Sequence, residues 1–276
     1  MKTFLHPLQN LAEMEAIYTK AKSNRGILEI SGCMESQKAH LIYGLSGLFP
    51  SHLILSEDEK SAKELYEDYR FYDKNVYYYP AKDLLFFQAD IHGNLLIRQR
   101  MRVIKALLEQ KENITVVTSI DGCMDYLQPL DKIEKQLIHF RNDSTLDMDK
   151  LKDALVHMGY ERVGQVEMSG QFSVRGGIVD IYSLTEENPW RIELWGDEID
   201  SIRTFDSQSQ RSLENLDEIT IYPATEQPAE KGGVSFLDYF AEKNSLVFLD
   251  EPNRLEENAR AVEEEFRQSC ENRQQK

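Results

Sequence analysis

The sequence predicts an α/β protein, a parallel sheet wrapped by helices and interrupted by an antiparallel α+β unit. Two observations carry this prediction. Over residues 1–129, and again after 245, apolar runs of strand length alternate with helical patterns. Runs of that kind belong to a parallel sheet buried on both faces. From about 130 to 225 the runs instead alternate apolar and polar residues, closely spaced and separated by turn residues, which is how antiparallel hairpins read.

Taken in order, "LQNLAEMEAIYTKA" (8–21) has helical spacing, "GILEIS" (26–31) predicts a strand and 37–48 a helix. "HLILS" (52–56) predicts a strand, 57–72 a charged helix, "NVYYYP" (75–80) a strand, and "NLLIRQRMRVIKALLEQ" (94–110) an amphipathic helix before the strand "ITVVTS" (114–119). After "DYLQPLD" come a strand (134–141), a helix (147–158) and the strands "QFSVR", "IVDIYS", "WRIELW" and "IDSIRTF". Turns fall at Gly176–Gly177, at 186–189 and at 196–198. "SLVFLDEP" then predicts a buried strand and 252–272 a long charged helix. The simplest organisation is a first domain over 1–129, an inserted α+β domain over 130–225, and a return segment over 226–276 that completes the first domain.

The 276 residues suffice for one large or two ordinary domains, and 41% hydrophobic with 29% charged residues is a soluble globular composition. No run approaches 18 apolar residues and "MKTFLHPLQN" lacks the apolar core of a signal peptide, so the expectation is no membrane and a cytoplasmic protein. Cys33, Cys123 and Cys270 are odd in number and far apart, which argues against a disulfide framework. The formal charge is −16, and the nets are −2 over 1–130, −10 over 131–228 and −4 over 229–276. Neutralising several phosphates takes clustered Lys and Arg, so unaided tight binding to duplex DNA is disfavoured.

One stretch has the frame of a phosphate-binding loop. On the pattern G-x-x-x-x-G-K-[ST], "GCMESQKA" supplies Gly32 and Lys38, but Gln37 replaces the second glycine and Ala39 the hydroxyl residue. In a working loop that glycine lets backbone N–H groups approach the phosphates, and the hydroxyl ligates magnesium. The same residues also read as a plain strand–loop–helix with a chance lysine. "LVFLDEPN" is similar to the acidic strand end of helicase-type ATPases, which would give Asp250 the metal and Glu251 the water.

"YPAKDLLFFQADIHGNLLIRQR" and "FSVRGGIVDIYS…WRIELWGDEIDSIRTFDSQSQRSLE" resemble the N-terminal region of bacterial transcription-repair coupling factors, itself similar to the damage-recognition protein UvrB. The resemblance spans nearly the whole chain. It implies a RecA-like (P-loop type) domain (UvrB domains 1a and 1b) split by an inserted domain (UvrB domain 2) that binds UvrA. It further implies an ATP-driven motor elsewhere in the parent protein, which engages duplex DNA and stalled RNA polymerase.

Departures from UvrB point to lost catalysis. UvrB keeps an intact phosphate loop, and it follows its acidic pair with Ser-His where this chain has Pro252 and Asn253. Between Tyr79 and Asn94 there is no room for UvrB's long DNA-probing hairpin, and "VYYYP" reads as core more than as a base-stacking platform. The expectation is a non-catalytic adaptor with no cofactor of its own. An active nucleotide-dependent helicase and a DNA-damage binder are the alternatives.

Carried over residue by residue, the family's UvrA contacts are Arg162, Phe172 and Arg175, with Gly176 shaping the turn. Ser173 stands where UvrB commonly has a second arginine. Arginines around an aromatic are a frequent hot-spot composition, although each arginine also reads as a solvated strand residue and Phe172 as core. Arg191 and Arg203 serve as controls outside the matching stretch. His92 reads as a turn histidine. Arg98 and Arg102 read as a solvated helix face, with Arg100 elsewhere and a modest DNA-backbone contact possible.

Overall fold

The computed structural model describes residues 4–23, 26–82, 90–109, 113–226, 232–241 and 244–274. In chain order the elements begin α1 (His6–Gln9), α2 (Ala12–Ser23), α3 (Glu35–Ser46), β1 (Ser51–Ser56), α4 (Glu59–Tyr72), β2 (Val76–Tyr79), α5 (Asp90–Leu108), β3 (Ile114–Ser119), α6 (Ile120–Cys123) and α7 (Leu130–Glu134). They continue β4 (Ile138–Arg141), α8 (Met148–His157), β5 (Glu161–Arg162), β6 (Gln171–Arg175), β7 (Ile178–Tyr182), β8 (Trp190–Trp195), β9 (Glu198–Phe205), β10 (Ser212–Leu216), β11 (Glu218–Ile221), α9 (Asp238–Ala241), β12 (Ser245–Leu249) and α10 (Pro252–Gln274). Two compact units result. One comprises 1–84, 109–126 and 234–276, the other 85–108 and 127–233.

The first unit is built on a parallel sheet of order β12-β1-β3-β2. Every residue of β1 and β3 is buried, as their continuous apolar runs require of central strands. Helix α4 starts where Asp58 accepts a hydrogen bond from Ser61 N at 2.7 Å, a side-chain N-cap. It buries Ala62, Leu65 and Tyr69 on one stripe, against a core that includes Ile42, Tyr43, Ile54 and Val117.

Two expectations for this unit fail. Residues 26–31 form no strand, and Ile27 is 95% exposed. An alternating apolar run becomes a strand only when a neighbour supplies hydrogen bonds and cover, and this run has neither. β12 forms, but it is not a buried strand. Among the described residues it lies at the sheet edge, pairs only with β1, and leaves Val247 and Leu249 exposed.

The second unit carries a six-stranded sheet of order β10-β9-β8-β7-β6-β5, antiparallel except for β5 against β6. A separate antiparallel pair joins β4 to β11. Alternation assigns the two faces of the larger sheet. Phe172, Val179, Ile181, Trp190 and Ile192 enter the core, with Val174 and Leu194 packed against it. Ser173, Arg175, Ile178, Asp180, Arg191, Glu193 and Trp195 therefore line the opposite face. The core is closed by Leu151 and Leu155 of α8 and by Met101 and Ile104 of α5. Thus α5, which the sequence pattern groups with the first domain, lies in the second unit, because its apolar stripe is buried there. In its middle, Arg100 is 1% exposed and forms a bidentate pair with Glu226, with Nε–Oε1 at 2.6 Å. The start of the expected strand at 134 is instead occupied by α7, and β4 begins at Ile138. Gly176 (φ +61°) and Gly196 (φ +65°) shape two of the expected turns, conformations that glycine adopts at least cost.

Candidate functional site

The phosphate-loop frame is closed from within. Helix α3 begins at Glu35, so Gln37 and Lys38 lie in its first turn and the loop before it is short. Gln37 N donates to Met34 O at 2.8 Å, and Met34 N donates to Gln37 Oε1 at 3.3 Å. Two of the backbone donors at this helix start, where an anion would be cradled, are thus satisfied by the chain itself. Gly32 keeps the left-handed backbone (φ +81°), whereas Ala39 is buried and has no ligand atom for a metal.

Lys38 is equally committed. Its Nζ donates to Asp250 Oδ1 at 2.7 Å, Glu35 Oε1 at 2.8 Å and Glu251 Oε1 at 3.0 Å, and the side chain is 13% exposed. Burial pulls the ammonium pKa down, but the hydrogen bonds to Asp250, Glu35 and Glu251 outweigh it and raise the pKa above the usual lysine range. The bond from Lys38 correspondingly holds Glu251 below the usual carboxylate range. Lysine, Asp250 and Glu251 do come together as the sequence suggests, but with the ammonium enclosed by three carboxylates. Gln37 in place of glycine, Ala39 in place of a metal ligand and a lysine already shared by three carboxylates do not fit ATP with magnesium.

In the second unit the four expected partner-binding residues separate. Arg175 lies on the sheet face opposite the core, half exposed, beside the Gly176 turn. Its guanidinium NH2 donates to Asp180 Oδ2 at 2.7 Å. Asp180 is fully buried and also accepts from Arg191, with Nε–Oδ1 at 2.6 Å and NH2–Oδ2 at 2.8 Å. Phe172 is fully buried in the core and presents no surface. Arg162 is exposed on the two-residue strand β5, in register with Phe172 rather than with Arg175.

Arg191 is no independent control, since it shares Asp180 with Arg175, donates to Gln210 Oε1 at 2.9 Å and lies 4.2 Å over the Phe205 ring. Arg203 pairs with Glu193 at 2.5 Å. Asp180 is the residue that the sequence reading missed. The available signal was a carboxylate inside an apolar strand, "IVDIY", where an uncompensated charge is too costly to bury.

The remaining expectations resolve as follows. Of the expected solvated face, Arg98 is tied down, its NH2 donating to Glu186 O at 3.0 Å, and Arg102 is partly exposed, while Arg100, set apart from that face, is buried. Tyr79 is buried and stacked 3.9 Å from Phe236, and Tyr78 donates to Glu59 Oε2 at 2.5 Å. These tyrosines are structural, as their strand position suggests. The His92 reading concerns a side chain outside the described residues. No described helix is long and apolar enough to cross a membrane.

Comparison with known proteins places these geometries in context. Residues 138–226 match the UvrB interaction domain family. The chain is 37% identical over 222 residues to the transcription-repair-coupling factor of Bacillus subtilis (strain 168), which covers 73% of this chain and 19% of that protein. It is 37% identical over 151 residues to the factor of Staphylococcus haemolyticus (strain JCSC1435), and 36% identical over 153 residues to that of Staphylococcus aureus (strain MRSA252). Those two matches cover 55% of this chain and 13% of each relative. The chain therefore spans less than a fifth of the length of these curated relatives. Most of its second unit, from β4 to Glu226, thus matches the UvrB interaction domain family, in a chain similar to a fraction of the length of the transcription-repair-coupling factors.

Proposed function

We propose that this chain is a non-catalytic adaptor that binds UvrA and, within a longer transcription-repair coupling factor, brings it to RNA polymerase stalled on duplex DNA. The observation that carries this reading is the presentation of Arg175 within the UvrB interaction domain. A buried carboxylate fixes the guanidinium while about half of its side chain faces solvent. A planar donor fork held in this way suits recognition of a carboxylate.

In this reading the first unit is a degenerate RecA-like scaffold, the UvrB domain 1a and 1b counterpart of the sequence analysis, and it uses no cofactor. The support is chemical. Lys38 is tied to three carboxylates, and Gln37 and Ala39 replace the phosphate-approach and metal-ligand residues. The module works in the cytoplasm, where its partners act, and any motor activity resides in other parts of the parent protein.

Capture of purified UvrA by the immobilised chain tests the proposal. The expected result is retention that needs neither ATP nor DNA. Absence of retention, from a chain with native circular dichroism, would refute the adaptor role.

A further inference from the structure

Among the described residues of the second unit, the most exposed large apolar side chain is Trp195, at 83%. It ends β8, and the turn Gly196–Asp197 returns the chain to Glu198, its register partner on β9. That hairpin end is held in place. Leu146 N donates to Asp197 O at 2.7 Å, Ile199 N donates to Ser144 O at 2.9 Å, and Thr145 bridges to Glu198. Few side chains gain more from burial than an indole. One fixed in water on a pinned hairpin is a marked feature of this surface.

Strand register sorts the face that carries Trp195 into rows. Asp180 and Arg191 stand in one row, Arg175 and Glu193 in the next, and Trp195 and Glu198 in the outermost. In the inner rows the charges are paired with one another, since Arg175 and Arg191 share Asp180 and Arg203 takes Glu193. The bond to Asp180 turns the Arg175 guanidinium inward, away from the row of Trp195. On the β7 side, the register continued to the strand end sets Gly176 opposite Trp195. That residue has no side chain with which to cover the indole.

The outermost row has the opposite character. Asp197 and Glu198 are exposed, and among the described residues neither carboxylate has a side-chain partner. Trp195 therefore lies between a bare glycine turn and free carboxylates, in a region whose net charge is −10 over 131–228. Directly opposite residues of an antiparallel pair have Cβ atoms about 5 Å apart. A single group can thus touch the indole and Glu198 together. The negative face of an indole attracts ammonium and guanidinium groups, and the carboxylate beside it accepts their hydrogen bonds. An anion finds no partner in this row, and a purely apolar occupant would desolvate Glu198 without compensation.

We infer that Trp195 and Glu198 form a docking point for a cation of the protein partner. An arginine or lysine side chain of that partner lies over the indole and is held by Glu198. This contact is separate from that of Arg175 and opposite to it in charge. The inference rests on the proposed binding of UvrA and adds a requirement, a basic side chain of UvrA at this row.

Calorimetric titration of UvrA into the full chain and its variants tests it. Trp195→Leu keeps an apolar side chain but removes the π face, and should weaken binding about ten-fold. Glu198→Gln keeps the shape but removes the charge, and should weaken it about three-fold. Trp195→Phe should fall between wild type and Trp195→Leu. Glu214→Gln, on β10 and outside the row, should bind as the wild type does. Circular dichroism should be unchanged in each.

If UvrA binds the wild type and Trp195→Leu equally well, the inference falls and the adaptor role stands. Weaker binding by Trp195→Leu, with unchanged or tighter binding by Glu198→Gln, would mean an apolar or acidic occupant and would also overturn it. Self-association of the chain that disappears in Trp195→Leu would assign the row to a second copy, with the same result. If the wild type binds no UvrA, inference and adaptor role fall together.

Discussion

Two cations define the two units, and they are treated in opposite ways. Lys38 in the first unit meets three carboxylates and is 13% exposed, whereas Arg175 in the second shares one buried carboxylate with Arg191 and is 47% exposed. The first arrangement consumes the charge, because each donor of the ammonium has an acceptor within the chain. The second fixes one side of the guanidinium and leaves the rest exposed to solvent. A cation whose donors are internally satisfied serves the fold, and one held from behind keeps donors available, as the proposed partner contact requires.

The comparison is most severely strained by removing Asp180. Asp180→Ala leaves Arg191 buried without its counter-charge and Arg175 unsupported, and should cost about 3–5 kcal/mol of stability. Urea denaturation measures it, and a change below about 1 kcal/mol would mean that solvent already screens the cluster. Next, Arg175→Ala should weaken UvrA binding by about 2 kcal/mol, read by calorimetry, while the bidentate Arg191–Asp180 pair preserves the fold. An effect confined to the association rate would place Arg175 at the rim of the interface instead.

In the first unit, Lys38→Met should cost about 1 kcal/mol of stability, discounted because Glu251 and Glu35 are largely exposed. It should leave UvrA binding unchanged, and neither form should give heat on titration with ATP and magnesium. Micromolar ATP binding by the wild type would show that the lysine is not committed after all.

The smallest effect concerns His52, buried in β1 with Nδ1 placed 3.2 Å from Ile114 O. Burial lowers its pKa below the ordinary 6.5, so the folded state favours the neutral ring. The sign follows from linkage. Stability is full above the ordinary pKa and declines as pH falls through it, because the unfolded chain takes up the proton first. A thermal melt repeated from about pH 7.5 to about pH 5.5 should show this slope, and His52→Gln should flatten it.

Most of the fold was legible because helix stripes and central strands depend on local patterns. Residues 52–56 and 114–119 read as strands of a parallel sheet and are buried, and 57–72 reads as a charged helix and forms one over Glu59–Tyr72. What failed depended on neighbours. "GILEIS" has strand composition but no pairing partner, and the stripe of α5 could not say which core would receive it. The candidate site was legible by residue type and not by face. Arg162, Phe172 and Arg175 are close in sequence, yet residues 172 and 175 differ by an odd step, and a pleated strand turns odd steps to opposite sides. The role of Asp180 was invisible for a related reason. Both of its guanidinium partners are fixed by sheet register, which no single strand encodes.

The connectivity of the first sheet also sets an order of assembly. β1 pairs with β3 on one side and with β12 on the other, in register Ser51 with Ser245. The second of these contacts closes a loop that contains all of the second unit, whereas β6 to β10 follow one another through short connections. During synthesis the hairpins of the second unit have all their partners as soon as they emerge. β1 waits with one edge open until residue 249 is made. The most local contacts thus become available before the least local one, and the six-stranded sheet can be complete while the parallel sheet is still missing a strand.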